Sequence, residues 1–448
     1  MKREAASGRW SETWSRLLLI LLILLPLAVL FLLPGSGGFA GGWVFWLLLV
    51  LLVWLILATI GKPSNAGQES LPQAPRMLAT PEQPDVVRRV MDVRLATEDE
   101  GVLLFRGQLR EPATTAYEEL KTAFSDSAVP LVREDEQMGA TIMLLPQTVE
   151  QRRPEQRTRP WVHWLLFGLT VVTTTWAGAA HHGVDLLREP WRFAVGLPYS
   201  LGLLAILGVH ELGHYFTARH HGMRVTPPYF IPVPFALGTF GAFIQMRSPA
   251  ENRRILFDVA VAGPLAGLAI AIPALLIGLR SSIVVAANAA GASPLGGTSV
   301  GSSIMFALLS KLSLGNAVEY GHVLRLSPLA FAGWLGLLVT ALNLLPIGQL
   351  DGGHVARAVF GGRTGDSISS ISLWSLFLLA IFVWPGLIMW AIIVFFIAGR
   401  GAPPLEDVTA LSPGRRRLGY VAFAILALIL IPLPHALWPL MRIHCPYV

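Results

Sequence analysis

The chain has 448 residues, 53% of them hydrophobic and only 14% charged, with 34 Lys and Arg against 28 Asp and Glu for a net charge of +6. Soluble domains carry about 25% charged residues, so this composition excludes an ordinary soluble globule and points to a polytopic α-helical membrane protein. The single cysteine, Cys445, excludes an internal disulfide and a cysteine-built zinc site, which leaves His and carboxylate side chains to hold any metal.

Lys2, Arg3, Arg9 and Arg16 precede an apolar run at Leu17–Leu33, and a second run, Gly42–Ile60, follows a Gly-rich turn. The first run ends in PGSGG without a small-residue cleavage site, so residues 1–61 read as an uncleaved transmembrane hairpin rather than a signal peptide. Residues 62–84 are a Pro/Ser/Gln-rich linker. The polar stretch 85–160 is long enough for a small cytoplasmic α+β module. It offers a helix near Asp85–Val93, a strand in GVLLFRGQL, a helix in TTAYEELKTAF and strands in VPLVRE and ATIMLLPQ. No catalytic constellation lies within it, so it reads as a binding or regulatory module.

Residues 161–448 carry the remaining spans, at Trp161–Ala180, Leu197–His221, Ile255–Leu279, Leu329–Leu345 and Leu418–Leu440. The apolar stretch Ile368–Ala398 is broken by Trp384-Pro385-Gly386, so it is either a helical hairpin or one long span. The total is seven to eight spans. Between Leu197–His221 and Ile255–Leu279, residues 226–247 hold Pro227, Pro228, Pro232, Pro234, Gly238 and Gly241. That segment reads as a re-entrant loop ending in a strand such as Gly241–Met246, whose open edge can take a substrate strand; a cytoplasmic linker is the plainer reading.

Basic clusters flank the apolar runs, at Arg152–Arg159, Arg219–Arg224, Arg247–Arg254, Arg357–Arg363 and Arg415–Arg417. This placement follows the positive-inside rule. It puts the N-terminus, the module and the mouth of any site at these depths on the cytoplasmic side. No basic patch with interleaved aromatics appears, so nucleic acid is not expected as a partner.

The chemistry centres on His210-Glu211-Leu212-Gly213-His214. Positions i and i+4 of a helix share one face about 6 Å apart along the axis, so two imidazoles there can meet on one tetrahedral zinc, with Glu211 in reach of its water. Ionisable groups inside a membrane helix are costly and rare, and three within five residues are hard to explain as packing. A catalytic zinc needs a third protein ligand. Asp351, in Asn343-Leu-Leu-Pro346-Ile-Gly-Gln-Leu350-Asp351-Gly352-Gly353-His354, lies at the same expected depth. Its competing role is capping the helix that follows. His354 is placed either behind the site or on a helix surface, while His181 and His182 fall on the opposite side.

HELGH followed by NLLPIGQLDGG, with AGPLAG at Ala262–Gly267 between them, resembles the site-2 protease family of intramembrane zinc metalloproteases. FRGQLR at Phe105–Arg110 and FGAFIQMRS at Phe240–Ser248 are similar to its ethylene-dependent gravitropism-deficient and yellow-green subgroup of chloroplasts and bacteria. The subgroup's more usual version of the FRGQLR motif has Asn where this chain has Gln108. The resemblance covers most of residues 85–440. It implies one zinc ion held by His210, His214 and Asp351, with Glu211 as general base. It also implies that Asn343 donates to the oxyanion or substrate backbone (its other role being an interhelical hydrogen bond), and that the loop around Gly241 meets substrate beside the ion. The implied activity is hydrolysis of peptide bonds in or near transmembrane helices of other membrane proteins, in a bacterial cytoplasmic membrane. A regulator or chaperone that kept the fold without activity is the alternative; the oligomeric state and the substrate are not written in the sequence.

Overall fold

The computed structural model describes residues 85–99, 102–125, 127–135, 137–146, 160–234, 237–286, 303–315, 322–382, 388–397 and 403–431. The hairpin and linker expected over residues 1–84, the Trp384-Pro385-Gly386 break and the end of the last expected span lie outside them. Two compact units are formed, one of residues 75–374 with 398–448 and the other of 1–74 with 375–397.

The first unit opens with a small α+β domain. Helix α1 (Asp85–Val90) leads directly into β1 (Met91–Asp99), followed by β2 (Val102–Leu109), α2 (Ala113–Ala123), β3 (Ala128–Asp135) and β4 (Gly139–Pro146). The sheet is antiparallel throughout, in the order β1-β2-β4-β3. Strand β1 is absent from the sequence reading, which carried the first helix on to Val93. Met91, Val93 and Leu95 alternate with Asp92 and Arg94, a period of two that suits a half-covered strand better than a helix. Val87, Val90, Phe105, Leu120, Val132 and Ile142 fill the core.

The FRGQLR segment has a structural reason within this sheet. Phe105 is fully buried, Gly107 pairs with Val93 at a bulge in β1, and a Cβ there would collide with the Asp92 carbonyl. Arg106 and Arg110 reach Asp135 and Asp92, each at 3.8 Å, while Gln108 points outward.

The rest of this unit is mainly helical. It comprises α3 (Pro160–His181), a 3-10 turn (Pro190–Val195), α4 (Leu197–His220), β5 (Tyr229–Pro232), β6 (Thr239–Phe243), α5 (Arg253–Arg280), β7 (Ile283–Ala286), α6 (Ile304–Leu314), β8 (His322–Arg325), α7 (Pro328–Leu344), α8 (Asp351–Phe360), the first part of α9 (Gly362–Phe382) and, beyond α10 (Ile388–Ile397), α11 (Pro413–Leu430). Helix α6 and the β7–β8 pair were not anticipated. In the second unit, the end of α9 and α10 bring the rings of Phe377 and Phe395 edge to face, 6.0 Å apart.

Among the described residues, α3, α5 and α9 are long and apolar enough to cross a membrane, while α6 and α7 are apolar but shorter. Helix α5 is the centre of the packing, lying against α4, α7 and α8. Asn252 caps it, its Oδ1 accepting from the Ile255 N–H at 3.0 Å.

The proline-rich segment folds into the antiparallel β5–β6 hairpin, with Tyr229 opposite Phe243 and Phe230 opposite Ala242. Its base and tip both rest on α3. His163 Nδ1 donates to the Pro228 carbonyl at 3.0 Å, and Thr173 Oγ1 donates to the Gly238 carbonyl at 2.7 Å. Ten helical residues separate those two contacts, about 15 Å of axis. Tyr199 Oη adds a bond to the Leu237 carbonyl at 2.9 Å. At Gly238 φ is +79°, and a Cβ would lie 2.5 Å from the Thr174 Cα, so this tip requires glycine.

Candidate metal centre

Helix α4 carries His210, Glu211 and His214 on its buried face. Opposite them, α7 ends at Leu344, and the chain turns through Pro346 and Gly348 (φ +48°) into α8, which begins with Asp351. The two glycines after Asp351 make the close approach possible. A Cβ on Gly352 would strike the Leu344 carbonyl, and one on Gly353 would strike that of Gly348. Asp351 is thereby brought over the α4 imidazoles instead of merely capping α8.

The resulting separations are nearly equal. His210 Nε2 and His214 Nε2 are 3.2 Å apart, and Asp351 Oδ2 lies 3.4 Å from the first and 3.3 Å from the second. Three ligands at 2.0–2.1 Å from a tetrahedral zinc stand about 3.3 Å from one another. The three atoms therefore outline one face of such a tetrahedron, and they form a group suited to a metal ion. His214 is oriented for this role. Its Nδ1 donates to the Val259 carbonyl of α5 at 2.8 Å, which leaves the Nε2 lone pair facing His210 and Asp351.

The AGPLAG segment of α5 makes room for the ligands. A Cβ on Gly263 would fall on the His214 ring, and one on Gly267 would come 3.1 Å from His210 Cβ. Gly213 reciprocates from α4, where a Cβ would lie 2.7 Å from the Ala262 carbonyl. The small residues thus set the depth at which the histidines sit.

Around this face stand the other expected residues. The Glu211 carboxylate lies near the backbone amide of Ile244, just beyond β6. Asn343 Nδ2 lies 3.3 Å from His210 Nε2, so its amide donor faces the ligand cluster. Gly241 is in β6 with φ +105° and open space where a side chain would be; the hairpin reaches the site through Ile244 and not through Gly241. His354 follows Asp351 by one turn, and its buried Nδ1 has no partner among the described residues. His221 pairs with Asp258 at 3.2 Å, and His181 meets the rings of Tyr199 and Phe331 edge to face, so neither joins the site. Sequence reasoning missed Val259 and Ile244. Both act through backbone groups, which any residue type supplies, so no composition signal marks them.

Residues 198–383 match the protein family described as Peptidase family M50. The chain is 30% identical over 360 residues to "Probable zinc metalloprotease EGY2, chloroplastic" of Arabidopsis thaliana, covering 75% of this chain and 61% of that protein. It is 36% identical over 245 residues to "Probable zinc metalloprotease EGY1, chloroplastic" of Oryza sativa subsp. japonica, covering 53% and 41%. It is 29% identical over 357 residues to "Probable zinc metallopeptidase EGY3, chloroplastic" of Arabidopsis thaliana, covering 73% and 61%. The chain thus spans about three-fifths or less of the length of these curated relatives. No solved structure matches it.

Proposed function

We propose that this chain, whose residues 198–383 match Peptidase family M50, is an intramembrane zinc endopeptidase. It hydrolyses peptide bonds in or near transmembrane helices of membrane proteins, in regulated intramembrane proteolysis. The observation that carries this reading is the trio of 3.2, 3.3 and 3.4 Å separations among His210, His214 and Asp351, with Glu211 between the two histidines in sequence.

In this reading His210, His214 and Asp351 would hold one Zn2+ ion. Zinc held there would supply Lewis-acid chemistry and lower the pKa of a bound water to about 7. Glu211 takes the proton of the attacking water as the new C–O bond forms. It returns that proton to the departing amine as the peptide C–N bond breaks. The backbone amide of Ile244 lies beside the Glu211 carboxylate during both transfers. The Asn343 amide donates to the developing oxyanion.

A helix must unwind before its backbone can be cut, and the outer edge of β6 offers an unwound substrate strand a place to pair. Gly241, with no side chain standing over that edge, keeps it open to an incoming backbone. The hairpin's 15 Å course beside α3 supports residues 226–247 as a loop that re-enters the membrane. The seven to eight spans, the cytoplasmic mouth and the bacterial cytoplasmic membrane belong to the same proposal, supported by the flanking basic clusters.

The test compares the full chain with Glu211→Gln in detergent, measuring zinc content and cleavage of a panel of single-span proteins. The proposal expects about one zinc per chain in both and cleavage only by the parent. Equal cleavage by both removes Glu211 from the chemistry. A zinc-loaded parent that cleaves nothing favours the inactive regulator.

A further inference from the structure

Residues 404–409, between α10 and α11, form a strap with bonds on both sides. On one side the Val132 N–H donates to the Leu405 carbonyl at 2.9 Å, and the Asp407 N–H donates to the Val132 carbonyl at 3.0 Å. This pairs the strap in parallel with β3, the edge strand of the small domain's sheet. On the other side the Leu405 N–H donates to the Ala250 carbonyl at 3.0 Å, and the Glu406 N–H to the Glu251 carbonyl at 2.7 Å. Asn252, the cap of α5, is next in line and also pairs with Glu406. Leu405 and Val408 pack on the small domain's core. The sheet therefore continues, through the strap, to the first turn of α5.

From this strap the Asp407 side chain turns inward. Its Oδ1 accepts from Arg253 Nε at 2.7 Å, and its Oδ2 accepts from Arg357 Nη2 at 2.9 Å. All three side chains are buried. Arg133 of β3 adds a third guanidinium to the field around Asp407. Arg253 opens α5, the helix whose Val259 carbonyl orients His214 six residues later. Arg357 lies on α8, six residues beyond Asp351, about 9 Å along the axis. One carboxylate thus ties the helix that orients one metal ligand to the helix that carries another. Taking three charges out of water is a poor route to stability, since apolar side chains of similar volume do as well or better. Fixed geometry is what such a cluster supplies.

We propose that Asp407 is a positioning residue for the metal centre. It holds α5 and α8 at the spacing that keeps His214 and Asp351 on one ion, with the small domain's sheet as its anchor. This rests on the zinc site of the preceding reading, and it concerns a residue that contacts neither ion nor substrate.

The test uses the full chain in detergent, with zinc affinity from chelator competition and the visible absorption band of the Co2+-substituted protein as a signature of coordination geometry. Asp407→Ala is expected to weaken zinc binding roughly ten- to a hundredfold, as loss of outer support to metal ligands does, and to alter the cobalt band. Asp407→Asn keeps the shape and one accepting oxygen, and is expected to fall between parent and Ala; it decides alone if the Ala variant does not fold. Zinc affinity within twofold of the parent, with an unchanged cobalt band, overturns the proposal. Failure of the underlying reading looks different: Asp351→Ala would then bind zinc as tightly as the parent, and this proposal would fall with it.

Discussion

Replacing Gly263 or Gly267 by alanine probes how tightly α5 sets the depth of the two histidines. At Gly267 the added carbon comes 3.1 Å from His210 Cβ and 3.2 Å from Nδ1. Ordinary contacts are 3.5–4.0 Å, so the shortfall is about 0.4 Å, which slight tilting of α4 can absorb. At Gly263 the added carbon falls among Nε2, Cδ2 and Cε1 of His214. Relieving that overlap moves the ring by more than about 1 Å on the same contact distances, whereas a metal site tolerates roughly 0.2 Å in its bonds. Gly263→Ala should therefore lose at least a hundredfold in zinc affinity, and Gly267→Ala less than tenfold. Overpacking itself costs each variant about 1–3 kcal/mol, so stability alone does not separate them. The zinc-dependent part of stability does. Zinc at a hundredfold its Kd adds about 2.7 kcal/mol to a chain that binds it only when folded. Thermal melts at that zinc concentration and with EDTA should show the full increment in the parent, at least about 1.4 kcal/mol of it in Gly267→Ala, and no more than about 0.4 kcal/mol in Gly263→Ala. A full zinc-dependent rise in Gly263→Ala, or a greater loss in Gly267→Ala, refutes the reasoning.

Asn343→Ala should lower kcat about 10²–10³-fold, the usual effect of removing an oxyanion donor, with KM and zinc content little changed; a fall of less than threefold would assign its amide to helix packing. In the small domain, the N–H groups of Gln137 and Met138 hold the Asp135 carboxyl below the usual carboxylate range. Because its folded pKa lies below the unfolded value of about 3.9, its contribution is present above that pH and is lost as pH falls through the folded value. Hydrogen exchange in the β3–β4 hairpin, corrected for intrinsic rates, should show easier opening in acid, and Asp135→Asn should remove the pH dependence. Identical acid sensitivity in parent and variant would exclude the turn as its source.

The grouping of His210, His214 and Asp351 was legible because such side chains carry metal-binding chemistry and the His spacing fixes a helix face. Asp351 was legible through the break at Pro346 and the paired glycines, and those glycines now have a reason in the approach of α8 to the end of α7. What stayed hidden depends on backbone groups or on distant partners. Strand β1 was absorbed into a helix, although Met91, Val93 and Leu95 alternate with polar neighbours. The strap reads as an ordinary polar connector, since nothing in Leu405-Glu406-Asp407 reveals that it pairs with Val132 far earlier in the chain. Arg253 and Arg357 were read as markers of membrane orientation, yet both are buried against Asp407.

Equal spacing of the three ligand atoms also bears on which ion the pocket prefers. Two imidazole nitrogens turn away calcium and magnesium, which take oxygen ligands. Copper is the harder competitor, since divalent copper binds most nitrogen sites more strongly than zinc does. Copper(II) favours a square array, in which bonds of about 2.0 Å put two pairs of neighbouring donors near 2.8 Å and the remaining pair near 4.0 Å. The separations here are 3.2, 3.3 and 3.4 Å, and the Val259 carbonyl and Gly263 resist the ring movement that a square array demands. Helix packing thus works against a square array of these three donors, from positions well away from the donor atoms themselves.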